Sequence, residues 1–134
     1  MKTTYITKIV NKDFEIKGSQ REDTKTGSMV VYFDEQTDTA ITDYENTTTP
    51  SYCKLTKTIS DAGRNWNLNI TAAEMIAAFG DINTNTAIRV VTKCTDNAGN
   101  QKVECQGWFI YNNKADDPWI DVTYGDATFN AAKE

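Results

Sequence analysis

The sequence predicts an all-β antiparallel sandwich carrying one short helix, and three observations predict it. The stretch Thr86 to Tyr111, TAIRVVTKCTDNAGNQKVECQGWFIY, sets two strand-like runs on either side of the turn-forming Asp96-Asn97-Ala98-Gly99-Asn100. Several further short apolar or alternating runs are each bounded by Gly, Asp, Asn or Pro. A single segment, opening at Thr71, combines a helix start signal with helical spacing.

In chain order, Ile6, Ile9 and Val10, then Phe14 and Ile16, form two extended pieces separated by Asn11-Lys12-Asp13. Gly18 to Gly27 is polar and reads as a loop. Met29 to Phe33 is five apolar residues of strand length, which fits a central strand buried on both faces. Residues 34–52 are rich in Thr, Asp and Asn and include Pro50, so they read as a long loop with one weak strand at Thr39 to Thr42. Cys53, Leu55 and Ile59 resume the ladder. Asp61-Ala62-Gly63-Arg64-Asn65-Trp66 is a turn feeding a strand in which Trp66, Leu68 and Ile70 alternate with polar residues, and Trp66 is expected in the core with Phe109.

Thr71-Ala72-Ala73-Glu74 has the form of a capping box, in which the Thr71 hydroxyl accepts from the Glu74 amide while the Glu74 carboxylate reaches back. Met75, Ile76 and Phe79 make the apolar stripe of the helix it opens, and Gly80 is its stop. For the hairpin that follows, a two-residue loop at Gly99-Asn100 pairs Ile88, Val90, Thr92 and Cys94 with Tyr111, Phe109, Gly107 and Cys105 on a dry face. The other face, Val91 with Trp108, Lys93 with Gln106 and Thr95 with Glu104, is then mostly wet.

Beyond Tyr111 a polar stretch closes on Pro118, Trp119 to Tyr124 alternates as a strand, and Gly125 to Glu134 trails off in small and charged residues. This divides the chain into a sandwich module over 1–113 and a linker with a terminal strand over 114–134. The similarity of Ile6-Thr7-Lys8-Ile9-Val10 to Ile120-Asp121-Val122-Thr123-Tyr124 is what the opening of a following repeat would produce.

Composition narrows the functional classes. The 134 residues suit one core, and a net charge of −5 with scattered Lys and Arg argues against nucleic acid and anionic membranes as partners. No apolar window is long enough to insert into a membrane as a helix, and the N-terminus has no signal-peptide h-region, so a cytosolic protein and a fragment of a longer secreted one would read alike. There is no histidine, which removes His-based triads, His general bases and the usual zinc sites. Cys53, Cys94 and Cys105 lack a Cys-x-x-Cys spacing. In the expected register Cys94 and Cys105 stand about 5.5 Å apart, compatible with a disulfide and equally with two core thiols.

Three stretches in order resemble the bacterial immunoglobulin-like repeats found in tandem in large surface and adhesin-type proteins. They are Ile16-Lys17-Gly18-Ser19-Gln20-Arg21-Glu22-Asp23, Asp61-Ala62-Gly63-Arg64-Asn65-Trp66, and Cys94-Thr95-Asp96-Asn97-Ala98-Gly99-Asn100 followed by Phe109-Ile110-Tyr111 and Asp117-Pro118-Trp119-Ile120. The helix at Thr71 to Phe79 and the 34–52 loop depart from a minimal repeat. The resemblance implies an immunoglobulin-like sandwich without catalysis of its own, serving as an extracellular or cell-surface spacer or adhesion unit. Its partners would be neighbouring immunoglobulin-like repeats and a protein or glycan of the host or cell surface.

Two ligand chemistries are open to the residues themselves. Glu22, Asp23, Asp96, Asn97, Asp116 and Asp117 offer the oxygens that calcium takes and would meet at one pole of a sandwich; as loop acids and turn-forming residues they would simply be solvated. Trp108 on the wet face and Trp119 beside the linker offer flat indoles to a sugar ring, or else pack. The acids elsewhere lie in sequence pairs without the aromatic and amide neighbours that shape a glycosidase cleft, so no catalytic residue is nominated and no cofactor is expected beyond calcium. Carbohydrate-binding sandwiches and phage or viral surface immunoglobulin-like domains are the alternative readings.

Overall fold

A computed structural model of the protein describes residues 5–10, 13–19, 29–59, 65–82, 84–96, 98–112, 121–124 and 127–131. Among these residues nine strands and one α-helix follow one another as β1 (Tyr5–Val10), β2 (Phe14–Ser19), β3 (Met29–Asp34), β4 (Leu55–Ile59), β5 (Asn65–Ile70), α1 (Ala72–Phe79), β6 (Thr86–Thr95), β7 (Gln101–Tyr111), β8 (Asp121–Tyr124) and β9 (Ala127–Ala131). They form a five-stranded sheet ordered β1-β7-β6-β3-β4 and a four-stranded sheet ordered β5-β2-β9-β8. Every pairing is antiparallel except β1 with β7, which is parallel. The fold is a β-sandwich.

Strand alternation explains the core. In β5 the side chains read exposed, buried, exposed, and the buried set is the expected Trp66, Leu68 and Ile70. From β2, Phe14 and Ile16 join them. Met29, Val31 and Phe33 of β3, Ile88 and Val90 of β6, and Phe109 and Tyr111 of β7 complete the same cluster, with Phe14 and Phe109 meeting edge-on at 5.2 Å. β3 lies inside its sheet and is buried nearly throughout, as an apolar run predicts.

Gly18 shows how the neighbouring strands β2 and β5 fit together within their sheet, where it pairs with Trp66. A Cβ at this position would lie 2.6 Å from Trp66 Cε2, so the indole occupies the room that a side chain would need.

The capping box forms as expected. Thr71 Oγ1 accepts from the Glu74 amide at 3.0 Å, and Glu74 Oε1 accepts from the Thr71 amide at 3.0 Å. Gly80 ends the helix at φ 82°. Of the expected stripe, Met75 is fully buried and Phe79 packs against the core, whereas Ile76 is exposed. The helix is held to the sheets at two points. Lys57 of β4 pairs with Glu74, and Asp13 Oδ1, just before β2, accepts from the Ala72 amide at 2.8 Å.

Three expectations are corrected. No strand forms at Thr39 to Thr42, where the chain instead makes a 3₁₀ turn, Thr42–Glu45. The stretch Gly125 to Glu134, expected to trail off beyond the terminal strand, contributes β9, which pairs with β2 from Phe14↔Ala131 to Gly18↔Ala127. The third correction is the hairpin register. Its loop runs from Asp96 to Asn100, closed by Asp96 N–H to Asn100 O at 2.9 Å and Gly99 N–H to Asp96 O at 3.1 Å. The longer loop pairs Cys94 with Lys102 and Val91 with Cys105; a bulge then follows in which Gln106 is the extra residue, and beyond it Val90 pairs with Gly107 and Ile88 with Phe109. Gly107, at φ 124°, supplies the backbone conformation that the bulge requires.

Candidate functional site

The outer face of the five-stranded sheet was expected to be wet, and it is covered. Residues 35–54 lie across it, and beneath them sits the densest gathering of buried polar groups among the described residues. Asp34 closes β3 and Arg89 lies in β6 directly opposite. Both side chains are fully buried. Arg89 Nε donates to Asp34 Oδ1 at 3.0 Å and Nη2 to Oδ2 at 2.8 Å, a bidentate fork. Nη1 donates to the carbonyls of Asp38 and Ala40 at 3.0 and 2.8 Å. Tyr44 Oη donates to Asp34 Oδ2 at 2.6 Å, and its ring lies beneath the guanidinium with Arg89 Cζ 5.8 Å from the centroid.

The electrostatics follow from this geometry. Burial opposes the charge on Arg89, but the hydrogen bonds and charge of Asp34 outweigh it and hold the guanidinium above its ordinary value. Burial, then the bond to Asp34, drives the Tyr44 phenol far upward, so it is always a donor. Four of the five guanidinium donors are engaged by the protein itself. The chemistry of this cluster is therefore fastening: it turns the segment over the sheet into a fixed plate. An apolar patch joins plate to sheet: Tyr44 packs with Tyr32 and Val91, and Ile41, Tyr52 and Cys53 of the plate lie at its margin.

The sequence-predicted sites fall out as follows. Trp108 does lie on the outer face, opposite Arg89, but the plate buries it to 3% exposure and its Nε1 donates to Gln36 O at 2.8 Å. Its indole is thus part of the packing rather than an open platform for a sugar ring. Asp96 caps the hairpin loop: its carboxylate accepts from the amides of Ala98 and Asn100 at 2.9 and 2.8 Å and from Asn100 Nδ2 at 3.1 Å. Those bonds, the Asn100 amide foremost, hold its carboxyl below the usual range. Glu22, Asp23, Asn97, Asp116, Asp117 and Trp119 lie outside the described residues. Among the described residues no three acids or cysteines converge on a point that would hold a metal.

Cys94 and Cys105, which the expected register set opposite each other, are not paired in the observed one. The observed register sets Cys94 beside Met29, Sγ to Sδ 3.3 Å, while Cys105 pairs with Val91. Burial pushes the Cys94 thiol up to about 11 and raises that of Cys105 as well, so neither is a ready nucleophile at neutral pH.

No family model, curated protein or solved structure matches this chain. The site must therefore be read from its own chemistry.

Sequence reading passed over Asp34, Arg89 and Tyr44, yet a signal was present. Arg89 interrupts the apolar run Ile88-Arg89-Val90-Val91 and Asp34 closes Met29 to Phe33. A charge within a buried strand needs a partner, and two such charges of opposite sign on adjacent strands supply one.

Proposed function

We propose that this chain is a non-catalytic, immunoglobulin-like module of a larger bacterial cell-surface or secreted protein, serving as a spacer or adhesion unit beside neighbouring repeats. The observation that supports it best is the strand order β1-β7-β6-β3-β4. In constant-type immunoglobulin domains strands C, F and G share one sheet while B and E lie in the other. Here β3, β6 and β7 stand together in the one sheet and β2 beside β5 in the other, which is the arrangement such a reading requires. β9 flanks β2 on the side opposite β5, where the first strand of that scheme would lie. The use of the buried charges is of a piece with this reading, because Asp34, Arg89 and Tyr44 hold the covering segment in place.

Brief protease treatment of intact source cells, followed by peptide identification, tests the proposal. Release of peptides from the exposed 35–54 segment without cell lysis is the expected result. Recovery of the chain solely from the cytosolic fraction would refute a surface role.

A further inference from the structure

We infer that the hydroxyl run Thr47-Thr48-Thr49-Pro50-Ser51 is a site of O-linked glycosylation, taking its sugar from a nucleotide-activated donor. The inference rests on the surface role proposed above, since a transferase must meet the folded chain on its way to the surface. In composition the run is the Ser/Thr-rich, proline-punctuated type that carries O-linked sugar. Composition alone is weak, and the structure adds three observations.

The first is access. Thr47, Thr48, Thr49 and Ser51 are all exposed, and among the described residues their hydroxyls have no hydrogen-bond partner. Thr71, Thr86 and Thr92, by contrast, are occupied: Thr71 caps α1, Thr86 bonds the Thr84 carbonyl, and Thr92 accepts from Gln106.

The second is presentation. The run is the crest of an arch whose feet are Tyr44 and Tyr52, rings meeting edge-on at 6.0 Å and 83°. Tyr44 is anchored in the Asp34–Arg89 cluster, and Tyr52 Oη donates to Asp43 Oδ2 at 2.9 Å. Lys93 Nζ holds the Asn46 carbonyl at 3.2 Å on one side, and the Cys53 amide bonds the Pro50 carbonyl at 3.1 Å on the other.

The third is backbone form. Residues 46–50 belong to no strand or helix, and Pro50 biases Thr49 toward the extended form that an enzyme cleft accepts.

In the transfer step, a threonine or serine Oγ attacks the anomeric carbon of the sugar. The bond from that carbon to the donor's phosphate oxygen breaks, and its electron pair leaves with the nucleoside diphosphate. The hydroxyl proton passes to a base of the transferase. No oxidant or reductant is needed, and no bond of the fold is lost.

The test is intact-mass and fragment analysis of the chain recovered from source cells, beside the same chain made in a cytosol without glycosyltransferases. Hexose or N-acetylhexosamine increments should map to the tryptic fragment ending at Lys54 and resist the amidase that removes sugar from asparagine. They should vanish in the Thr47→Ala, Thr48→Ala, Thr49→Ala, Ser51→Ala variant, whose thermal midpoint should match the parent. An unmodified mass, a phosphate increment, sugar on Asn46 or sugar elsewhere in the chain would each overturn the inference. An unmodified chain found at the cell surface would do so while leaving the surface reading standing, whereas a purely cytosolic chain would remove the reading beneath it.

Discussion

Asp34 and Arg89 are the residues on which the outer face turns. Taking either charge out of water alone costs several kcal/mol, and the pair is tolerable because each supplies what the other lacks, with Tyr44 and two carbonyls satisfying the remainder. Arg89→Met leaves a buried carboxylate without its cation, so it should lower stability by about 3 to 5 kcal/mol, measured by urea denaturation. Asp34→Leu combined with Arg89→Met should recover much of that loss, because two apolar side chains of similar bulk leave no orphaned charge. A double variant no more stable than Arg89→Met would show that the pair is needed for more than mutual neutralisation. Each charge within its apolar run was legible, but their pairing was not, because the two partners lie 55 positions apart and only the pairing of β3 with β6 brings them together. Trp66 is the opposite case. Its burial follows from simple alternation with Leu68 and Ile70, and it needed no knowledge of the partner strand.

At the scale of elements, local signals read well and pairing did not. The helix was written in Thr71-Ala72-Ala73-Glu74, and its cap makes a pH prediction. The bond from Lys57, then that from the Thr71 amide, holds the Glu74 carboxyl below its ordinary value. A depressed folded value means that the unfolded chain takes up the proton first. The stabilisation is therefore present above the unfolded value of about 4.3 and is lost as pH falls through the lower folded value. Glu74→Gln should accordingly be less stable than the parent at neutral pH, and the two urea midpoints should converge as the pH drops below about 4. Parallel curves over that range would mean that the carboxylate contributes nothing through its charge. Thr71→Ala should cost about 1 kcal/mol by removing the cap itself.

The hairpin shows why pairing was harder. Its faces near Ile88, Val90, Phe109 and Tyr111 were assigned correctly from alternation, but its register depended on a loop of Asp96 to Asn100 and on the bulge at Gln106, neither of which alternation encodes. The register has a direct chemical consequence. Thiol titration in denaturant, without reductant, should count three free thiols, since Cys94 and Cys105 pair with Lys102 and Val91 rather than with each other. A count of one would restore the bridged register.

For the whole molecule, the open question of construction is where the module ends. Sequence composition placed a boundary after Asn113, because the polar run to Pro118 reads as a linker and Ala127-Thr128-Phe129-Asn130-Ala131, though it alternates, carries Phe129 as its one large apolar residue. The second sheet gives that weak segment its form. β9 lies against β2 over five paired positions and β8 closes the edge beyond it, so β2, with Phe14 and Ile16 buried in the core, stands inside the sheet. Cutting the chain to residues 1–113 would leave β2 at an edge with a row of unpaired amides and carbonyls, a template for another chain. The truncated protein should therefore have a lower urea midpoint than the full chain and should self-associate with rising concentration, as followed by light scattering. If 1–113 instead stays monomeric and matches the full chain in stability, β2 tolerates an open edge. The last two strands would then be dispensable to the sandwich, as the proposal of a second repeat opening there requires.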